Sequence, residues 1–169
     1  MRLLVFIFFV LCAWRWGDWK NWKKYYSTIL FFMLGSFYHI AVYHNYPLWR
    51  YEPLPPLNFI SNSTLIALSI TFIVFPCTAL IYLGNYPHGK KQYLYIAMWI
   101  GLYTLIETVM FLQHGITYHN GWNLAWSIVF NMVLFSIIRV HFHRPWFGWG
   151  LGLVFALLFA SVFGFPINQ

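Results

Sequence analysis

Acidic side chains are almost missing from this chain. Its 169 residues include three, Asp18, Glu52 and Glu107, against ten lysines and arginines. That scarcity removes whole classes of function. General acid and base chemistry usually needs two carboxylates at one place, and only Glu107 lies inside a long apolar stretch. Charged residues make up 8% of the chain, too few to coat an ordinary soluble domain. Cysteine is scarce as well. Cys12 and Cys77 both fall in apolar segments with neither pairing nor metal-ligand spacing, so they read as small packing residues. HExxH, GxSxG and phosphate-loop motifs are all absent, which argues against an enzyme.

What the chain has instead is hydrocarbon and aromatic rings. With 61% hydrophobic residues, 24% aromatics and a mean hydropathy of +0.63, it reads as an integral membrane protein. Apolar runs extend over Leu3–Trp14, Tyr25–Val42, Leu65–Leu83, Tyr93–Leu112, Trp122–Val140 and Trp146–Phe163. They predict an all-α polytopic transmembrane bundle of about six helices. The whole chain, 1–169, forms one domain, with spans at about 2–16, 24–44, 63–84, 92–112, 122–142 and 146–164. The first run is short and follows Arg2, as a signal-peptide core would, but no small-residue cleavage site follows it. It is read as a retained first helix.

The basic residues set the orientation. Arg15, Lys20, Lys23 and Lys24 lie in the first connection, Lys90 and Lys91 in the third, and Arg139 and Arg144 in the fifth. The fourth, Gln113 to Gly121, has no lysine or arginine. By the positive-inside rule the odd connections are cytoplasmic and both termini are outside. The net charge of +7 therefore reflects topology, and nucleic acid is not an expected partner. Trp14, Trp16, Trp19, Trp22, Trp49, Trp122, Trp146 and Trp149 fall at span ends, where interfacial anchors belong. His141 and His143, flanked by Arg139 and Arg144, read as part of a basic cluster facing anionic lipid head groups. The second connection carries Pro47, Pro53, Pro55 and Pro56, which predict a stiff, extended outer loop.

Polar groups recur on three spans. On the fourth, Tyr103, Glu107 and His114 follow at intervals of four and seven; on the second, Ser36, His39 and Tyr43 follow at intervals of three and four and likewise share a face. On the fifth, Asn123, Ser127 and Asn131 are spaced by four. Glu107 lies about five residues from its span end, roughly 8 Å deep at the helical rise. If the three faces turn inward, they build a polar chamber in the outer half, beneath the linker that carries His119. The plainer reading is that such groups satisfy one another across helices and fix packing, at about 0.6 kcal/mol per bond. Glu107 is the exception, because an ionisable group inside a span usually marks a ligand site, relay or pathway. His39, Glu107, His114 and His119 have the right chemistry for a metal ion, but not its spacing. No cofactor is predicted.

Two further stripes read as structural. Thr64, Thr71 and Thr78 recur every seven residues along the third span, and Pro76 is expected to kink it. In the last span Gly148, Gly152, Ala156, Ala160 and Gly164 put a small residue at every fourth position. That pattern lets helices approach closely, either within the chain or against a second copy or other membrane partner.

The stretches Ala13-Trp-Arg-Trp-Gly-Asp-Trp-Lys-Asn-Trp, Tyr46-Pro-Leu-Trp, Phe75-Pro-Cys-Thr with Ile81-Tyr-Leu-Gly, and Thr117-Tyr-His-Asn-Gly-Trp-Asn carry a resemblance along nearly the whole chain. It resembles an uncharacterised family of small multi-pass membrane proteins of endospore-forming Bacillota. The resemblance implies a bacterial plasma-membrane protein and assigns no role to any residue. The residues themselves leave three readings. The first is a structural or regulatory membrane subunit with a polar, outward-facing pocket around Glu107. The second is a transporter or conductor of a proton, cation or small polar solute; the third is a metal-binding protein or membrane enzyme.

Overall fold

The computed structural model describes residues 2–53 and 62–166. It is an all-α helix bundle with one small strand pair at its end. The helices are α1 (Arg2–Trp16), α2 (Trp22–Val42), α3 (Ser63–Gly84), α4 (Lys91–Leu112), α5 (Leu124–His143) and α6 (Pro145–Val162). The last five are long and apolar enough to cross a membrane; α1 is a shorter apolar helix. In hydrocarbon every backbone N–H and C=O must be satisfied internally, so uncharged runs of this length adopt helix and place their breaks at the ends.

Those ends are capped by recognisable devices. The Asn62 side chain accepts from Thr64 N (2.8 Å) at the start of α3. Asn123 accepts from Ala125 N (3.0 Å) and Trp126 N (3.2 Å) at the start of α5. Helix α4 stops where His114 turns left-handed (φ 57°), letting Gly115 N–H reach Met110 O at 2.8 Å. Gly164 (φ 61°) does the same after α6, with Phe165 N–H donating to Ala160 O.

Pro76 follows a π turn within α3. It lacks an N–H, and the preceding Ile70–Val74 segment widens into a π turn in which Phe75 N–H bonds back to Ile70 O. The threonine seam is buried here: Thr71 is held by Ser36 of α2 (2.6 Å) and Thr78 by Tyr103 of α4 (2.6 Å).

The three basic connections gather at one end. Asn85 Nδ2 donates to Trp16 O (2.7 Å), and the Arg139 guanidinium lies 3.8 Å above the Tyr86 ring. Asp18 sits at this end too, accepting from Tyr25 OH (2.6 Å) and Asn21, contacts that hold its carboxyl below the usual range. The core nearest this end contains Tyr82, Tyr95, Trp99 and Phe135 in mutual ring contact. Helix α6 approaches α5 closely enough that a Cβ on Gly148 would stand 2.5 Å from His141 Cβ.

His141 is accordingly not part of an exposed basic cluster. It is 1% exposed, stacks on Phe31 at 4.2 Å and pairs with Thr28 Oγ1 at 3.0 Å. The small-residue stripe is used within the chain: Gly148 meets His141, Gly152 meets Phe31, and Gly164 forms the closing turn.

At the opposite end the connections form a structure that periodicity did not reveal. Strand β1 (Trp49–Tyr51), from the second connection, pairs antiparallel with β2 (Ile116–Tyr118), from the fourth. The register places Trp49 opposite Tyr118, Arg50 opposite Thr117 and Tyr51 opposite Ile116. His119 N–H donates to Leu48 O (2.8 Å) and Asn120 Nδ2 to Pro47 O (2.8 Å), extending the tie. Pro55 and Pro56, expected to stiffen this outer loop, lie outside the described residues.

Candidate functional site: a chamber beneath the strand pair

Between the strand pair and the packed core lies a cavity of about 310 Å³. The alternation of side chains along a strand explains its roof. Residues of one parity, Trp49 and Tyr51 on β1, point down to line the chamber, while Arg50 points out and is exposed. The walls come from α2 (Ser36, His39), α4 (Tyr103, Glu107) and α5 (Ser127, Asn131), with Tyr43 just beyond α2. Polar residues from three helices thus share one lining.

Glu107 is held by two donors. Ser127 Oγ donates to Glu107 Oε1 at 2.5 Å, and Tyr118 OH donates to the same oxygen at 2.8 Å. Trp122 Nε1 in turn donates to Ser127 Oγ at 2.8 Å. Both bonds fall on Oε1, and among the described residues Oε2 has no hydrogen-bond partner. Burial, and the Glu107 carboxylate beside it, push the Tyr118 phenol well above its ordinary pKa, so Tyr118 remains a proton donor to Glu107.

His39 does not close a pair with Glu107. Its ring is sandwiched, 3.9 Å from Trp49 and 5.1 Å from Tyr43, and its buried Nε2 has no hydrogen-bond partner among the described residues. Aromatic contacts continue from Trp49 to Trp122 (5.0 Å), from Trp49 to Phe130 (5.6 Å) and from Trp122 to Phe159 (5.9 Å). Trp49 and Trp122 are therefore chamber walls, not interfacial anchors. A second hollow of about 340 Å³ lies beside the first and shares His39, Tyr43, Trp49 and Tyr51 with it.

Other expected members are placed elsewhere. His114 follows the left-handed turn after α4 and is exposed, off the face it was expected to share with Glu107. His119 is exposed above the strands, with Nε2 3.0 Å from Thr117 Oγ1. Asn123 is consumed as a helix cap. Asn131 is buried and lines the chamber, and its amide reaches Thr104 Oγ1 only at 3.5 Å. Tyr103 lines it with its hydroxyl committed to Thr78. The four residues with metal-ligand chemistry are therefore spread over the chamber wall and the outer surface. No group of three or more His, Cys, Asp or Glu side chains could hold a metal ion among the described residues.

Compared with protein families, curated proteins and solved structures, the chain matches none. The site must be read from its own chemistry.

Two features escaped the sequence: Tyr118 as a partner of Glu107, and the tryptophan walls. Three-residue strands are too short for alternation to register. The available signal was Asn120-Gly121, a strong turn dipeptide one residue beyond the β-branched and aromatic run Ile116-Thr-Tyr.

Proposed function

We propose that this chain is a multi-pass plasma-membrane protein, non-catalytic, acting as a regulatory subunit that takes a small ligand into an outward-facing chamber around Glu107. The carrying observation is the roofed 310 Å³ cavity with one carboxylate in its wall. That volume is at the lower end of the roughly 300–1,000 Å³ usual for small-molecule sites. The orientation rests on the charge asymmetry: eight of the ten lysines and arginines sit in the connections opposite the strand pair.

A binding role is favoured over conduction by what lies under the chamber. Phe9, Phe32 and Ile138 form its lower lining, backed by the Tyr82, Trp99 and Phe135 cluster. Among the described residues, the chamber lining holds no second carboxylate and no lysine or arginine that would continue a charged path towards the basic end. A regulatory role is favoured because Glu107 is bonded through Tyr118 to the strand pair, so occupancy at the carboxylate is felt at the outer surface.

Flux assays in liposomes test this reading. Proton and rubidium flux should equal that of protein-free liposomes, for the native chain and for Glu107→Gln alike. Flux in the native chain that Glu107→Gln removes would establish the transport reading instead.

A further inference from the structure

The chamber combines one carboxylate and a few neutral polar groups, Ser36, His39, Ser127 and Asn131, with walls that are mostly apolar and largely aromatic. A small polar solute would leave most of that wall unsatisfied, and a neutral hydrocarbon would leave Glu107 Oε2 without a partner. We propose that the ligand is a small organic ammonium ion with an apolar body, its charge at Glu107 and its body against Trp49, Trp122 and Phe130. The proposal rests on the chamber reading given above.

Three observations support it. First, both donors to Glu107 fall on Oε1, which orients the carboxylate and leaves Oε2 without a protein partner among the described residues. Second, among the described residues no lysine or arginine lines the chamber to neutralise Glu107. A buried carboxylate without a counter-charge is costly, and a cation supplied by the ligand relieves that cost. Third, Trp49, Trp122 and Phe130 line the same cavity as Glu107, and aromatic rings attract ammonium groups more strongly when water is excluded. Size narrows the class further, since about 310 Å³ admits a single ring or short chain and not a two-chain lipid.

The test compares benzyltrimethylammonium with neopentylbenzene, which replaces its nitrogen by carbon and so removes the charge at constant shape. Binding of each to the full chain in lipid nanodiscs is read by tryptophan fluorescence, with empty nanodiscs subtracted. The native chain should bind the cation about tenfold or more tightly than the neutral isostere. Glu107→Gln should bring that ratio close to one, while Glu107→Asp, which keeps the charge, should preserve most of it. Equal affinity for both probes in the native chain would overturn the ammonium assignment and leave the chamber standing as an apolar site. Saturable binding of neither probe would overturn both readings. Discrimination that survives Glu107→Gln would remove Glu107 from the site.

Discussion

At the basic end Tyr82, Tyr95, Trp99 and Phe135 close on one another, whereas at the strand-capped end Trp49, Trp122, Phe130 and Phe159 stand around a void. The residue types are nearly the same. What differs is how the hydroxyls and helix approaches are used. Near the basic end Tyr82 OH donates to the Phe135 carbonyl, and Gly148 lets α6 settle onto α5. In the capped half a strand pair lies over the cavity, and the hydroxyls of Tyr118 and Ser127 converge on one carboxylate, with Trp122 donating to Ser127 Oγ behind them. Aromatic content therefore does not decide whether a membrane core is solid or hollow. Backbone approach and the direction of a few polar hydrogens do.

The largest expected effect probes solidity directly. Phe135→Ala removes a ring with 0% exposure and should destabilise the bundle by about 3 kcal/mol, since packing contacts are lost outright even where lipid cancels the transfer term. Phe130→Ala, beside the void, should cost about half as much or less, because part of that ring already lacks neighbours. Reversible unfolding in mixed detergent and SDS micelles measures both; equal losses would break the contrast. Gly148→Leu comes next. Its side chain must displace His141 and the α5 backbone, with an expected loss of about 1–3 kcal/mol in the same assay. Gly152→Leu meets only the tip of the Phe31 ring at 3.4 Å and should be milder.

Smaller effects sharpen the contrast. Tyr118→Phe removes one bond to Glu107 and should cost about 0.6 kcal/mol, while loosening the roof enough to raise hydrogen exchange in β2. Tyr82→Phe should cost a similar amount without changing exchange at the strands. The smallest effect is at the half-buried Asp18. Its folded-state pKa is lowered, so its contribution is present above the ordinary carboxylate pKa and disappears as pH falls through the lowered value. Asp18→Asn should flatten unfolding midpoints measured from pH 6 down to pH 3; an unchanged slope would show that Asp18 contributes nothing.

Much of this frame was legible from the chain. Length and polarity locate all six helices to within about two residues, because in hydrocarbon a helix ends where charge, proline or glycine permits. Spacing by four brings Ser127, Asn131, His39 and Glu107 to one chamber because these residues lie well inside regular helix. The same rule misplaces His114, since extrapolating a helical face past Leu112 ignores the left-handed turn that ends α4. His141 was misread for a related reason. A histidine between two arginines looks interfacial in one dimension, yet the hairpin of α5 and α6 folds Gly148 directly over it. The tryptophans Trp49 and Trp122 lie at span ends as expected, but strand pairing turns them inward. Contacts that depend on pairing two distant loops leave no periodic trace.

The two strands are separated by 64 residues, since β1 ends at Tyr51 and β2 begins at Ile116. During synthesis β1 must therefore wait on the membrane surface while two further helices are inserted. Until then its inward-facing rings have no roof to form, and Glu107 enters the bilayer before either Tyr118 or Ser127 exists to receive it. The hollow is the last part of the molecule to be completed. A chaperone or insertase that shelters a half-made carboxylate would have to act in that interval, between the emergence of α4 and that of α5.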